Sequence, residues 1–337
     1  MGWVYPGAVS TVQSASLLAA GLRLPDFFIV GHHKSGTTAL YEMLRRHPQI
    51  FMPALKEPRF LASDLEPRFV QPREPALPQT LEEYLSLFSD AVPGQRAGEA
   101  TAIYLWSHTA ARQIAQLQPE ARIIAILREP ASFLHSVHLT FLRARVESQK
   151  DLEKAMSLES ARARGRRIPR RSHLPNLLQY SDHVRYVDQL RRYHEQFPRE
   201  QVLVLIYDDF RADNEGTVRQ VLRFLEVDET HPIDVLARNM TKRTLRSHQV
   251  DEALRVVTLG RGPAARLTRA GVKSVTTRRM RKAAEALVHR RVVMTDAPPP
   301  DERFVRELRS RFKGEVVALS EYLDRDLVAL WGYDQIP

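Results

Sequence analysis

One segment near the start of the chain constrains the fold more than any other. An apolar run at residues 27–30 leads into a turn with two glycines and then into a helical pattern, in the sequence FFIVGHHKSGTT. Backbone N–H groups of such a turn and of the helix start point into the loop, where Lys34 adds a positive charge and Thr37 and Thr38 add hydroxyl donors. The segment predicts a strand, a phosphate-binding loop and a helix; glycines that merely turn a strand into a helix are the alternative.

The loop departs from an ordinary nucleotide-hydrolase loop. Gly31 and Gly36 have the spacing of a Walker loop, but Thr37 stands where the lysine should follow Gly36. The lysine lies inside the loop instead, at Lys34. This arrangement argues against a chain that hydrolyses ATP or GTP.

Further apolar runs at residues 122–127 and 202–206 are short and rich in Ile, Val and Leu, as buried parallel strands are. Helical patterns alternate with them, one of them opened by a capping box of Thr80 and Glu83. The predicted helices cover residues 38–46, 81–88, 110–117, 131–143, 181–196 and 217–225. The pattern predicts an α/β protein with a P-loop-like three-layer fold, in which a central parallel sheet is flanked by helices and a ligand binds at the carboxyl ends of the strands.

The 337 residues, 43% of them hydrophobic, suit one large domain. We expect residues 1–24 to be an N-terminal extension and residues 25–337 to be a single domain. The apolar stretch at residues 15–22 has no basic residue before it and is too short to span a membrane. Zero cysteines exclude disulfides, thiolate metal sites and Cys nucleophiles, and favour a cytoplasmic protein.

The formal charge of +10 suits phosphates, sulfates, nucleic acid or an anionic membrane surface as partners. Residues 162–171 hold six arginines in ten positions, within a predicted basic lid near residues 150–175. A solvent-exposed loop without a function at the site is the alternative to a lid. A nucleic-acid-binding protein would use these arginines, but no aromatic residues are interleaved with them, and such a function would not explain the loop at Lys34.

A second motif ends the strand at residues 122–127 with Arg128, and Ser136 follows on the next predicted helix. The planar guanidinium and the hydroxyl can converge on one phosphate. Pairing of Arg128 with a carboxylate is the alternative, and the neighbouring Lys34 loop favours the phosphate.

Together, the loop at residues 34–38, the sequence Leu127-Arg128-Glu129-Pro130 and Ser136 resemble the sulfotransferases that depend on 3′-phosphoadenosine 5′-phosphosulfate (PAPS). The likeness extends over residues 25–228 and includes Lys56-Glu57-Pro58, which is closest to the carbohydrate-sulfating and bacterial branch. It implies that Lys34 stabilises the leaving phosphate, that Ser35, Gly36, Thr37 and Thr38 hold the 5′-phosphate, and that Arg128 and Ser136 hold the 3′-phosphate. It also implies adenosine 3′,5′-bisphosphate as the product, and no metal.

The resemblance assigns the general base to Glu57, with an ion pair to Lys56 or Arg59 as the alternative. Glu99, which follows a short predicted strand, is the second candidate for the base, with a buried structural carboxylate as the alternative. His108 is the third candidate. Contacts with the substrate are expected from His33, Glu99 and Tyr180.

A late basic loop closes the 3′-phosphate site in such enzymes, and Arg261 with Gly262 is the candidate here. Residues 301–330 have helical spacing interrupted at Gly314, and Trp331 and Tyr333 predict a terminal anchor, with an interface in a homodimer as the alternative.

The expected function is sulfuryl transfer to a hydroxyl of a small-molecule, carbohydrate or lipid-like acceptor, for example in bacterial secondary metabolism. No nucleic acid and no membrane segment is expected to take part. A nucleotide-dependent kinase is the alternative, and it needs a metal-holding carboxylate after a later strand, which Asp208 and Asp209 could supply.

Overall fold

The computed structural model describes residues 22–65, 77–235, 243–245, 294–296 and 301–336. Its centre is a five-stranded sheet with strand order β2-β3-β1-β4-β5, in which every pairing is parallel. These strands are β1 (Phe27–Gly31), β2 (Ile50–Phe51), β3 (Arg96–Ala100), β4 (Arg122–Leu127) and β5 (Val202–Ile206). Two short strands, β6 (Arg243–Leu245) and β7 (Met294–Asp296), form a separate antiparallel pair.

Helices connect and cover the strands. Those of the described residues are α1 (Thr37–Leu44), α2 (Leu81–Ser86), α3 (Ala110–Leu117), α4 (Pro130–Ala144), α5 (Leu152–Ser157), α6 (Glu159–Ala163), α7 (Tyr186–His194), α8 (Tyr207–Ala212), α9 (Asn214–Phe224), α10 (Glu302–Leu323) and α11 (Leu327–Leu330). In the capping box before α2, the Thr80 hydroxyl accepts from Glu83 N as predicted, while the Glu83 carboxylate accepts from Gln79 N rather than from Thr80.

The sheet separates two apolar cores because alternate residues of each strand face opposite sides. On one side Phe28 and Ile123 pack in a core that also receives Leu319 of α10. On the other side Phe27 and Ile124 pack against α1 and α9. Helices on both faces of a parallel sheet confirm the predicted three-layer α/β fold.

Two predicted helices differ from the structure. The pattern at residues 181–196 is divided into a 3₁₀ turn (Tyr180–Val184) and α7, which meet at Arg185. In contrast, Gly314 does not interrupt α10. A mid-helix glycine costs only about 1 kcal/mol, and burial of Phe312 and Val316 beside it outweighs that cost.

The arginine-rich segment is partly an internal element. Arg162 is buried and binds the fully buried Glu147 through both Nη atoms, at 2.7 and 2.8 Å. Tyr180 donates to the same carboxylate at 3.2 Å. The solvated alternative is therefore wrong for Arg162, because its charge is satisfied inside the protein. The remaining arginines of the segment are exposed, and their action as a lid stays a prediction.

The terminal anchor is confirmed. Trp331 and Tyr333 are buried, Trp331 Nε1 donates to Asp208 at 2.9 Å, and Tyr333 donates to Glu129 at 2.7 Å. Arg325 binds Asp209 through two nitrogens. The division into an extension and a single domain stays a prediction, and residues 1–21 lie outside the described range. No helix within that range is long and apolar enough to cross a membrane.

Candidate active site

A cavity of about 830 Å³ opens where β1, β4 and β5 end. This is the edge at which parallel α/β sheets bind ligands. The cavity brings together most of the predicted site residues, which come from the loop after β1, the start of α1, the segment after β2, the end of β4 and α4. Those that line it are His33, Lys34, Gly36, Thr37, Thr38, Glu57, Arg128 and Ser136.

The loop after β1 has the backbone of an anion cradle. Lys34 has φ 66° and Gly36 has φ 92°, so the chain turns sharply before α1 begins. In the part of the chain that the structure describes, no side chain caps α1, which leaves its first N–H groups directed at the cavity end of the helix. Ser35 is fully buried, and its Oγ has no hydrogen-bond partner among the described residues. A Cβ on Gly36 would lie 2.9 Å from the Phe210 ring, so only glycine fits.

Arg128 is fixed against this loop. Its Nη1 donates to the Lys34 carbonyl at 3.0 Å and its Nε donates to Ser132 Oγ at 3.0 Å. The guanidinium carbon lies 4.8 Å from the centre of the Tyr207 ring. These contacts hold a planar charged group beside the loop before any ligand arrives. None of them is the carboxylate pair that was the alternative reading of Arg128.

The cavity is strongly cationic. Among the described residues, its lining includes Lys34, Arg59, Arg128, Arg143 and Arg211, against the single carboxylate of Glu57. Burial, together with Arg143 and Arg128, lowers the pKa of Lys34 from 10.5 to about 8. Below that pH the lysine adds its charge to the arginines, and such a concentration of positive charge suits a ligand with several negative groups.

Glu57 projects into this cationic setting from a constrained loop. Its φ is 62°, and its N–H donates to the Ala100 carbonyl at 3.0 Å. Lys56 Nζ lies 2.8 Å and Arg59 Nη2 lies 3.5 Å from its carboxylate. Burial raises the pKa of Glu57, but Lys56 and Arg59 outweigh burial and leave the pKa below its ordinary value. The ion pairs of the alternative reading are confirmed as contacts, and the ionised carboxylate also faces the cavity.

The structure does not bring Glu99 or Tyr180 to the cavity lining. Glu99 lies within β3 instead of after it and is fully buried, where Oε2 accepts from Tyr84 at 2.8 Å and Tyr104 at 3.0 Å. Burial raises the pKa of Glu99 to about 7, although hydrogen bonds from Thr101, Tyr84 and Tyr104 lower it. The geometry therefore favours the structural reading of Glu99.

Tyr180 is fully buried as well, paired with His138 Nδ1 at 2.9 Å and with Glu147. Its hydroxyl is committed to this internal network, which gives no support to a substrate contact. His108 is exposed on the approach to α3 and is not among the residues that line the cavity. Arg261 and Gly262 lie outside the described residues.

The two histidines of the loop have different surroundings. His32 is fully buried, its Nε2 pairs with Gln189 Oε1 at 2.6 Å, and burial lowers its pKa to about 3. His33 lines the cavity, and its buried Nε2 has no hydrogen-bond partner among the described residues. Burial, with His183 as the next cause, holds the pKa of His33 well below 6.5. His33 is therefore a neutral group that offers one ring nitrogen to a ligand.

Sequence reasoning missed several lining residues, among them Thr140, Arg143 and Arg211. A signal existed for two of them, because Ser136, Thr140 and Arg143 have the i, i+4, i+7 spacing of one helix face. The carboxylates that a kinase would need for a metal are otherwise engaged, since Asp208 binds Trp331 and Asp209 binds Arg325.

Comparison with known proteins agrees with this geometry. The model of the Sulfotransferase family matches residues 25–232. Carbohydrate sulfotransferase 15 from Mus musculus is 28% identical over 259 residues, which cover 60% of this chain and 44% of that protein. Heparan sulfate glucosamine 3-O-sulfotransferase 6 from Homo sapiens is 34% identical over 110 residues, 33% of this chain and 28% of that protein. The chain thus spans less than half the length of these curated relatives.

Among solved structures, a sulfotransferase from Alicyclobacillus acidocaldarius has a TM-score of 0.63 and 24% identity, and the match covers 91% of this chain and 99% of that chain. At this identity the likeness shows the fold. The family match spans the cradle loop, Glu57, Arg128 and Ser136, the same residues that the cavity brings together. The chain belongs to the sulfotransferase family.

Proposed function

We propose that the chain transfers a sulfuryl group from PAPS to a hydroxyl of a carbohydrate-type acceptor and releases adenosine 3′,5′-bisphosphate. The observation that carries this proposal is the composition of the cavity, in which a glycine cradle and five cationic side chains surround one carboxylate. The names of the curated relatives supply the acceptor class. A kinase has less support, because Asp208 and Asp209 are bound to the C-terminal residues.

The cradle residues fit the donor. The unpartnered hydroxyl of Ser35, the uncapped start of α1 and the space kept by Gly36 suit the 5′-phosphate, together with Thr37 and Thr38. Arg128 and Ser136 border the same cavity, and we assign them to the 3′-phosphate. The cradle and the pair of Arg128 and Ser136 form two anion subsites on separate elements. Two such subsites suit a nucleoside that carries phosphates at both its 3′ and 5′ positions.

The chemistry is an in-line displacement. The acceptor oxygen forms a bond to sulfur while the bond between sulfur and the phosphate oxygen breaks, and the hydroxyl proton passes to the Glu57 carboxylate. Lys34 neutralises the charge that develops on the leaving phosphate oxygen. Because Lys56 and Arg59 keep Glu57 ionised, it is ready as a base at neutral pH. The low pKa of Glu57 makes it a weak base. It therefore accepts the proton only as the acceptor hydroxyl becomes more acidic in the transition state.

Glu57→Gln tests this assignment. Loss of a general base lowers rates by roughly 10² to 10⁴, so kcat should fall at least about 100-fold while the affinity for adenosine 3′,5′-bisphosphate, measured by calorimetry, stays within about twofold. Glu153→Gln, on an exposed position of α5, is the matched control. Near-normal turnover of the Glu57 variant would show that another group is the base.

The donor is tested separately, by titration of the wild-type protein with the bisphosphate and with ATP and magnesium. Tighter binding of ATP with magnesium than of the bisphosphate would contradict PAPS as the donor and favour a kinase.

A further inference from the structure

The lining of the cavity contains apolar side chains as well as charged ones. Phe210 packs over Gly36 and Tyr207 lies under Arg128, beside the loop that we assign to the donor. Five further apolar residues line the cavity and form what we call the apolar wall, with Thr140, Arg143 and His173 interleaved among them along the chain. The apolar wall consists of Ile103, Phe141, Val146, Leu174 and Leu177.

The apolar wall lies at the Glu57 end of the cavity. The residues just before Ile103 hold the Glu57 loop, because Glu57 N donates to the Ala100 carbonyl and Arg59 N donates to Thr101 Oγ1 at 3.4 Å. From the other direction, the ring of His33 lies 6.0 Å from that of Phe141, and the charge of Arg59 contributes to the lowered pKa of His33. Glu57, His33 and the apolar wall therefore border the same part of the cavity.

The wall offers a ligand little except carbon atoms. The Leu177 carbonyl is already used by His183 Nε2 at 2.9 Å, and Leu177 N donates to the Leu174 carbonyl at 3.1 Å. Tyr180, which follows these leucines in the chain, connects their segment to the buried pair of Glu147 and Arg162 by donating to Glu147 at 3.2 Å. Polar lining residues adjoin the wall: Thr140 precedes Phe141, His173 precedes Leu174, and the neutral His33 carries the unpartnered Nε2. The surface therefore suits an apolar body with hydrogen-bonding groups beside it.

We propose that the acceptor is an alcohol with an alkyl or aryl body that packs on the apolar wall next to the reacting hydroxyl, as in an alkyl or aryl glycoside. A bare oligosaccharide would leave this wall without an apolar partner. The inference rests on the proposed function, because Glu57 marks the acceptor end. It narrows the acceptor from carbohydrates in general to those that carry an apolar substituent.

Binding of a chain-length series tests the inference without any need for turnover. The protein, saturated with adenosine 3′,5′-bisphosphate, is titrated by calorimetry with glucose and with ethyl, butyl and hexyl β-D-glucoside. Burial of one methylene contributes about 0.8 kcal/mol, which is about a fourfold gain in affinity. From ethyl to hexyl the affinity should therefore rise by about two orders of magnitude. An affinity that does not change along the series overturns the inference.

Val146→Thr keeps the shape of one wall residue and adds a hydroxyl. We expect it to weaken binding of hexyl glucoside by about fivefold or more and to leave the affinity for the bisphosphate unchanged. The matched control is Val92→Thr, since Val92 is 56% exposed on the surface. Circular dichroism checks that both variants fold. If Val146→Thr does not fold, the chain-length series with the wild-type protein alone tests the inference.

The two proposals fail in different ways. Absence of both bisphosphate binding and sulfated product from PAPS contradicts the proposed function. Sulfated product together with equal affinities along the alkyl series contradicts the acceptor inference alone. A polyanionic polysaccharide that is sulfated while hexyl glucoside neither binds nor competes also contradicts it, and would assign acceptor binding to the exposed arginines of residues 164–171 instead.

Discussion

Replacement of Arg128 by Ala should weaken the preference of this protein for a nucleotide with a 3′-phosphate. The guanidinium is fixed by Lys34 O, Ser132 Oγ and the Tyr207 ring, so it meets the ligand without reorganisation. A hydrogen bond to a charged group contributes about 1.5–3 kcal/mol, which corresponds to about 10- to 150-fold in affinity. The preference for adenosine 3′,5′-bisphosphate over adenosine 5′-monophosphate should fall by that factor in the variant.

The comparison of two ligands is needed because Arg128 also supports the loop. Loss of its bond to the Lys34 carbonyl should weaken both nucleotides, and the ratio of their dissociation constants removes this shared effect. Calorimetry at one ionic strength gives the four constants. Arg112→Ala is the matched control, since Arg112 is an exposed arginine of α3 that is not among the residues that line the cavity, and the ratio should stay the same there. An unchanged ratio in Arg128→Ala would refute the 3′-phosphate assignment.

Three further predictions concern charge, pH and the C-terminal contacts. Because burial lowers the pKa of Lys34 to about 8, kcat/KM for the donor should fall about tenfold per pH unit above pH 8. Lys34→Arg should remove this alkaline fall, because arginine stays charged. A wild-type kcat/KM that is constant up to pH 10 would contradict the role of Lys34 at the leaving phosphate. Burial raises the pKa of Glu99 from 4.5 to about 7, so the native protein keeps a proton that the unfolded chain releases between these values. The free energy of unfolding of the wild type, relative to that of Glu99→Gln, should therefore fall by about 3 kcal/mol between pH 4.5 and pH 8. Urea unfolding measures this difference, and an equal difference at the two pH values would contradict the prediction. Trp331→Phe removes the bond to Asp208 and should lower the free energy of unfolding by about 1–2 kcal/mol with kcat unchanged; unaltered stability would show that the bond contributes nothing.

The strands that the sequence predicted correctly, β1, β4 and β5, each contain an apolar run of four or five residues, which is typical of buried parallel strands. β2 has only two residues and leaves no pattern to detect. The division at Arg185 between the 3₁₀ turn and α7 was not predictable either, because Tyr180 and Tyr186 on its two sides are buried by packing against distant parts of the chain.

The site likewise contains residues that sequence motifs predict and residues that they do not. Lys34, Gly36 and Arg128 follow strands directly, so their motifs alone predict a position at the carboxyl edge of the sheet, where the cavity lies. The apolar wall could not be predicted, because Leu174 and Leu177 line the cavity from a segment without a strand motif, which Tyr180 connects to the buried pair of Glu147 and Arg162. For Glu99 the sequence could not tell which face of β3 its side chain would take, and the structure directs it to Tyr84 and Tyr104.

The contacts of Trp331 and Tyr333 have a consequence for the order in which the protein is built on the ribosome. Glu129 caps α4 beside Arg128, yet its partner Tyr333 follows 204 positions later, and Trp331 follows Asp208 by 123 positions. The nascent chain can pair its five central strands well before either aromatic residue has been translated. The donor edge of the cavity is therefore completed late in synthesis. A stalled chain that already contains the cradle and all five strands should be compact but poor at holding the nucleotide.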